Sequence, residues 1–97
     1  MKVEILEVAE RELDDGFIYY ESLQDGLGKR FLFEIKNSIG RIVQYPNGWH
    51  PLSNNTRRSL VKKFPYGIVY QILEDKISIV AIAHLHRKPN YWKDRIK

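Results

Sequence analysis

Between Tyr66 and Leu73 both alternating sets of side chains are largely apolar: Ile68, Tyr70 and Ile72 on one side of an extended chain, Val69, Gln71 and Leu73 on the other. A strand with that pattern belongs in the middle of a sheet, so it needs a neighbour along each edge. The flanking segments can supply them. Arg57 to Phe64 precedes it and Lys76 to Ala83 follows, separated from it by Pro65 and by Glu74-Asp75-Lys76. Three successive antiparallel strands are therefore expected, with the middle segment central.

The first half of the chain reads differently. Val3, Ile5 and Val8 are set among charged residues, which suggests a short first strand. Ala9, Leu13, Phe17 and Tyr20 then recur at helical spacing, with Glu10, Arg11, Asp14 and Glu21 on the opposite side. Gly16 weakens this helix without ending it. Gln24-Asp25-Gly26 is a break, in which Asp25 can cap a second helix whose stripe is Leu27, Phe31, Ile35, Ile39 and Ile42. Tyr45-Pro46-Asn47-Gly48 stops that helix, and residues 46–56 read as a polar, turn-rich loop. The link between the helices is short enough to force a hairpin. The order predicts an α+β fold: an N-terminal strand and a helical hairpin packed on a small antiparallel sheet, with a short C-terminal tail.

With 97 residues the chain is expected to form one domain, residues 1–97. It has no cysteine, which fits a reducing compartment, and no apolar run near the roughly 18 residues of a membrane span. Its mixed-charge N-terminus does not resemble a signal peptide. The expectation is a cytoplasmic protein with no membrane partner and no cofactor. Charge is unevenly placed: residues 1–50 hold six cations and nine acids, a net −3, so the remainder carries +7 of the overall +4. A polyanion or an acidic protein should meet the second half.

The segment RRSLVKKFPYGIVYQILEDKISIVAIAHLHRKPNYWKDR, following a helical hairpin with tyrosines near the end of its first helix, resembles the RelE/ParE superfamily of toxins from type II toxin–antitoxin modules. The shared features are an Arg-rich strand, a Phe-Pro-Tyr turn before an Ile-Val-Tyr strand, and a His-x-x-x-Pro-x-x-Trp close. The resemblance implies a toxin of a plasmid-stabilisation type of module, neutralised by a cognate antitoxin in a hetero-oligomer. RelE-like members are ribosome-dependent mRNA endonucleases; ParE-like members inhibit DNA gyrase by protein contact. In the RelE-like pattern the chemistry falls to strand lysines, two arginines and a tail tyrosine. Here Arg58 and Arg87 match basic positions, whereas Leu60 and Gly67 stand where cations are expected. Losing preorganised charge-stabilising donors typically costs ~10² to 10³ in rate each, so the pattern leans toward the ParE-like branch.

If the chain is a ribonuclease, the candidate catalytic residues are Arg58, Arg87, Tyr91, His84 and His86. For target or antitoxin binding they are Arg57, Arg58, Lys62, Lys63, Arg87 and Tyr91. Each has a plainer reading. The Arg57 to Lys63 cations can be a solvated edge, split by alternation into Arg58 with Lys62 and Arg57 with Lys63. Arg87 can pair with Asp94 or with an acid of the helical hairpin. His84 and His86 can be surface polar groups; a metal would need a third ligand such as the distant His50, and none is expected. Trp92 reads as packing and Trp49 as a loop anchor. A non-toxic, antitoxin-binding relative is the remaining alternative.

Overall fold

The computed structural model describes residues 1–53 and 55–97. In chain order its elements are β1 (Lys2–Ile5), α1 (Glu7–Leu23), α2 (Leu27–Gln44), β2 (His50–Ser53), β3 (Thr56–Leu60), β4 (Tyr66–Leu73), β5 (Lys76–His84) and a short 3₁₀ turn, Lys93–Arg95. The five strands form one sheet in the order β1-β5-β4-β3-β2, so the doubly apolar β4 is central as expected. The α+β architecture also stands.

Two details differ from the expectation. The sheet is mixed, because β1 lies parallel to β5, with Val3 opposite Ile77 and Ile5 opposite Ile79. It also gains an edge strand, β2, inside the segment read as loop. Pro51 and the polar residues around it hide that strand from any alternation pattern. It exists because β3 offers a free row of backbone groups, which Pro51 tolerates only at an edge.

The helices cover one face. Ala9 and Tyr20 of α1 and Phe31, Ile35 and Ile42 of α2 pack with Ile68, Tyr70, Ile77, Ile79 and Ile82 of the sheet. Each fully buried large side chain contributes roughly 1.5–3 kcal/mol. Gly16 is needed at the helix crossing, since a Cβ there would lie 2.7 Å from the Phe31 ring. The break between helices is capped differently from the expectation. Asp25 makes no cap; instead Glu21 of α1 accepts N–H bonds from Gly26 at 3.0 Å and Gly28 at 2.9 Å. Those backbone bonds, that to Gly26 foremost, hold the Glu21 carboxyl below its usual range.

The second face is covered by the tail. Val80 in β5 has no partner in β4, which pairs Val69 with Ala81 and Tyr70 with Ile79. This bulge reverses the phase of the strand. Before it Ile77 and Ile79 face the helices, and after it Ile82 does, while Val80, Ala81 and Ala83 join Val69 on the other side. Trp92 packs there as expected, with Tyr91 and Ile96 beside it. Gln71, 1% exposed, bonds both the N–H and the carbonyl of Lys97 at 3.0 Å, pinning the end of the tail. Among the described residues no helix is long and apolar enough to cross a membrane.

Candidate functional site

The β3–β4 register places Arg58 opposite Val69, on the tail side of the sheet. Two residues earlier in β4, Gly67 lies on that same side. The aliphatic stem of Arg58 runs across Gly67, where an added Cβ would come within 3.1 Å of Cδ and 3.2 Å of Cγ. The glycine that replaces an expected cation is thus the bed on which Arg58 lies. After His84 the chain leaves the sheet through a turn, tied by the Leu85 N–H to the Pro65 carbonyl at 2.8 Å and the Arg87 N–H to the His84 carbonyl at 3.1 Å. Asn90 takes a left-handed conformation, φ 63°, and sends the tail back over the sheet. Between these pieces lies a cleft of about 110 Å³, lined by Arg58, His84, Arg87, Lys88, Tyr91 and Trp92 among others.

Behind the cleft is Glu12, which sequence reasoning missed. β1 ends at Ile5, so the β5 edge beyond Ile79 has no strand beside it. Glu12 takes over there. Its carboxylate accepts the Ile82 N–H at 3.0 Å, the Tyr91 hydroxyl at 2.6 Å, and the Arg95 guanidinium at 2.9 and 3.2 Å. Arg95 also donates to the Val80 carbonyl at 3.0 Å. Arg87 joins more weakly, at 3.3 Å, with its guanidinium 3.7 Å above the Tyr91 ring. Arg87 therefore pairs with an acid of the helical hairpin rather than with Asp94. The signal was present: Glu12 follows Ala9 by three and precedes Gly16 by four, placing a charge on the buried stripe of α1.

The same network decides what the cleft can do. Burial, then the bond to Glu12 and its negative charge, push the Tyr91 phenol well above the ordinary tyrosine value. Its hydrogen is already committed to the carboxylate. Leu60 and Gly67 add no cation to Arg58, Arg87 and Lys88, and with the Tyr91 hydrogen committed the arrangement suits holding an anion better than moving protons.

The remaining candidates lie elsewhere or play plainer parts. Arg57 faces the opposite way and donates to the Trp49 carbonyl at 2.7 Å, which anchors that loop. β3 ends at Leu60, so the alternation expected to pair Lys62 with Arg58 does not extend that far. Lys62 is exposed, and Lys63, at φ 68°, turns back to Glu34 of α2 at 3.8 Å. His84 stacks edge-on with Tyr66 at 5.1 Å and with His86 at 5.0 Å. Its Nδ1 accepts the His86 N–H at 3.1 Å, so a neutral His84 carries its proton on Nε2. His50 sits in β2, and among the described residues no group of three or more His, Cys, Asp or Glu could hold a metal ion.

A family model described as the ParE toxin of the type II toxin–antitoxin system parDE matches residues 3–89. The chain belongs to the ParE toxin family. Toxin ParE2 of Mycobacterium tuberculosis, from strains CDC 1551 / Oshkosh and H37Rv, is 28% identical over 82 residues, spanning 84% of this chain and 78% of that protein. In a solved structure described as the chromosomal ParDE TA system from P. aeruginosa, one chain superposes with a TM-score of 0.66 at 14% identity. That match covers 89% of this chain and 97% of the other, and it shows the shared ParE fold. Arg58, Gly67 and Arg87 all fall within the residues matched to the family, whereas Tyr91, Trp92 and Arg95 lie beyond them.

Proposed function

We propose that this ParE family member arrests growth by inhibiting DNA gyrase through direct contact, without hydrolysing a substrate, and that a cognate antitoxin holds it inactive in the cytoplasm. The observation that carries this reading is the cleft itself. It gathers Arg87 and Lys88 around Arg58, yet its one phenol is bonded to Glu12 and Gly67 stands at a position where the nuclease pattern has a cation. Such a surface can dock and orient; it is poorly equipped for general acid–base work.

The antitoxin is expected to bring an acidic amphipathic segment that folds on binding. The groove lined by Leu27, Phe33 and Phe64 offers apolar anchors beside Arg30, while Lys63 at its rim is paired with Glu34 at 3.8 Å. Arg57, Arg58, Lys62 and Arg87 would speed its approach. The test is purified chain added to gyrase and relaxed DNA, with RNA 5′ ends profiled in induced cells. Lost supercoiling with cleaved gyrase–DNA complexes is expected, and growth arrest with normal supercoiling would refute the proposal.

The endonuclease reading keeps one observation in its favour: Arg58, His84 and Arg87 do meet at one cleft. Unchanged transcript ends would remove it. Harmless expression of the lone chain would instead mark a non-toxic relative.

A further inference from the structure

We propose that Glu34 selects the antitoxin: the segment that docks between α2 and the β3–β4 turn must bring a lysine or arginine to this carboxylate. The inference rests on the reading above that the antitoxin uses that groove, and it adds the residue and the chemistry that set which antitoxin fits.

Three acids of the helical hairpin turn away from solvent, and two of them are satisfied within the chain. Glu12 holds Ile82, Tyr91 and Arg95, and Glu21 holds the Gly26 and Gly28 N–H groups. Glu34 is the most buried of the three, 8% exposed. Among the described residues, however, its carboxylate accepts no hydrogen bond. Its one ion-pair partner there is Lys63, whose Nζ stands 3.8 Å away, beyond hydrogen-bond reach, on a side chain 78% exposed. Helical spacing explains the burial. Glu34 follows Phe31 by three and precedes Ser38 by four, both wholly buried, so it flanks the stripe of α2 that meets the sheet.

The carboxylate opens into a groove of about 600 Å³, lined also by Leu27, Arg30, Phe33, Lys63 and Phe64. While the groove is open, solvent can serve its acceptor positions. A segment seated on Phe33 and Phe64 expels that solvent, and a charge desolvated without donors is among the costliest features an interface can carry. The occupant that binds tightly is therefore the one that supplies the donors, and a cation does so while also neutralising the charge. Lys63 is poorly placed for this. The turn that carries it is fixed by its own left-handed backbone, by the Val61 N–H on the Tyr66 carbonyl at 2.9 Å and by the Tyr66 N–H on the Phe64 carbonyl at 2.8 Å. Arg30, four residues before Glu34, forms no ion pair among the described residues and stays available for acids of the same segment. The matching segment is thus acidic opposite Arg30 and basic opposite Glu34.

The experiment measures association and dissociation rates of the purified chain with its cognate antitoxin. Glu34→Gln keeps the shape and removes the charge; it should weaken binding about tenfold or more through faster dissociation, without lowering the urea midpoint of the free chain. That loss should persist in a Lys63→Gln background. Glu34→Lys should bind weakly, and replacing each lysine and arginine of the antitoxin in turn by glutamate should reveal one exchange that restores its binding. Disappearance of the Glu34→Gln loss in the Lys63→Gln background would make Lys63 the partner and overturn the proposal, as would failure of every exchange to improve binding to Glu34→Lys. Phe33→Ala reports on the groove itself. If it weakens binding while Glu34→Gln does not, the proposal fails and the groove reading stands; if neither weakens binding, both fail.

Discussion

Replacing Glu12 tests the tail network directly, and its cost can be worked from the contacts. The carboxylate is 11% exposed, and its ion-pair partner Arg95 is 18% exposed. Removing one member of a largely buried ion pair leaves the other charge desolvated, and the Ile82 N–H and Tyr91 hydroxyl lose their acceptor as well. Full burial would put the loss at roughly 3–5 kcal/mol; residual exposure of Arg95 lowers this to roughly 2–4 kcal/mol. Arg87 adds little, being 54% exposed. In a domain of this size that corresponds to a fall in Tm on the order of 10–30 °C for Glu12→Ala. Glu12→Gln keeps an acceptor oxygen for the Ile82 N–H but puts an NH2 where Oε2 meets the Tyr91 hydroxyl, and it lacks the charge, so it should lose less than Glu12→Ala without restoring the native stability. Urea and thermal denaturation, followed by circular dichroism and by tryptophan emission as Trp92 leaves the sheet, provide the readout. Glu10→Ala, exposed on the same helix, is the control and should shift stability by no more than about 0.5 kcal/mol. If Glu12→Ala behaved like Glu10→Ala, the tail would not be held as described.

Gly16→Ala should destabilise by ~1–3 kcal/mol through collision with Phe31, although helix propensity alone argues for a gain of about 1 kcal/mol; the sign in a urea melt decides between them. Burial pushes the Tyr66 and Tyr70 phenols up to about 12, and Tyr91 is also raised. Folding therefore favours their neutral forms, so stability should hold below about pH 10 and decline as pH climbs toward 12, because the unfolded chain ionises first. Tyr91→Phe should soften that decline, and a urea midpoint constant over this range would contradict the assignment. Gln71→Ala should release the end of the tail, seen as faster amide exchange at Lys97, whose N–H bonds the Gln71 side chain. Unchanged exchange there would show that Trp92 and Glu12 suffice.

Much of the architecture was legible because periodicity reports burial. The two apolar faces of β4 announced a central strand, and the stripes of α1 and α2 announced a hairpin lying on a sheet. The candidate site was legible only in part. Arg58, His84, Arg87 and Tyr91 do come together, but alternation within β3 turns Arg57 to the other side, and Lys63 turns to Glu34 because the chain stops alternating after Leu60 and Lys63 itself is left-handed. Asp25 looked like a cap by its position, yet Glu21 does that job from the preceding helix, through a contact that local spacing does not encode.

The order of elements other than β2, the apolar faces and the accumulation of positive charge in the second half were determined by the sequence, since each depends on near neighbours along the chain. Tertiary structure decided the rest: that β1 runs parallel to β5, that β2 pairs at all, that Glu12 gathers Arg87, Tyr91 and Arg95, and that Gly67 seats Arg58. These contacts join residues far apart in the chain, or set two strands in a particular register. A side chain's spacing tells which way it faces; only the packed chain selects what it meets.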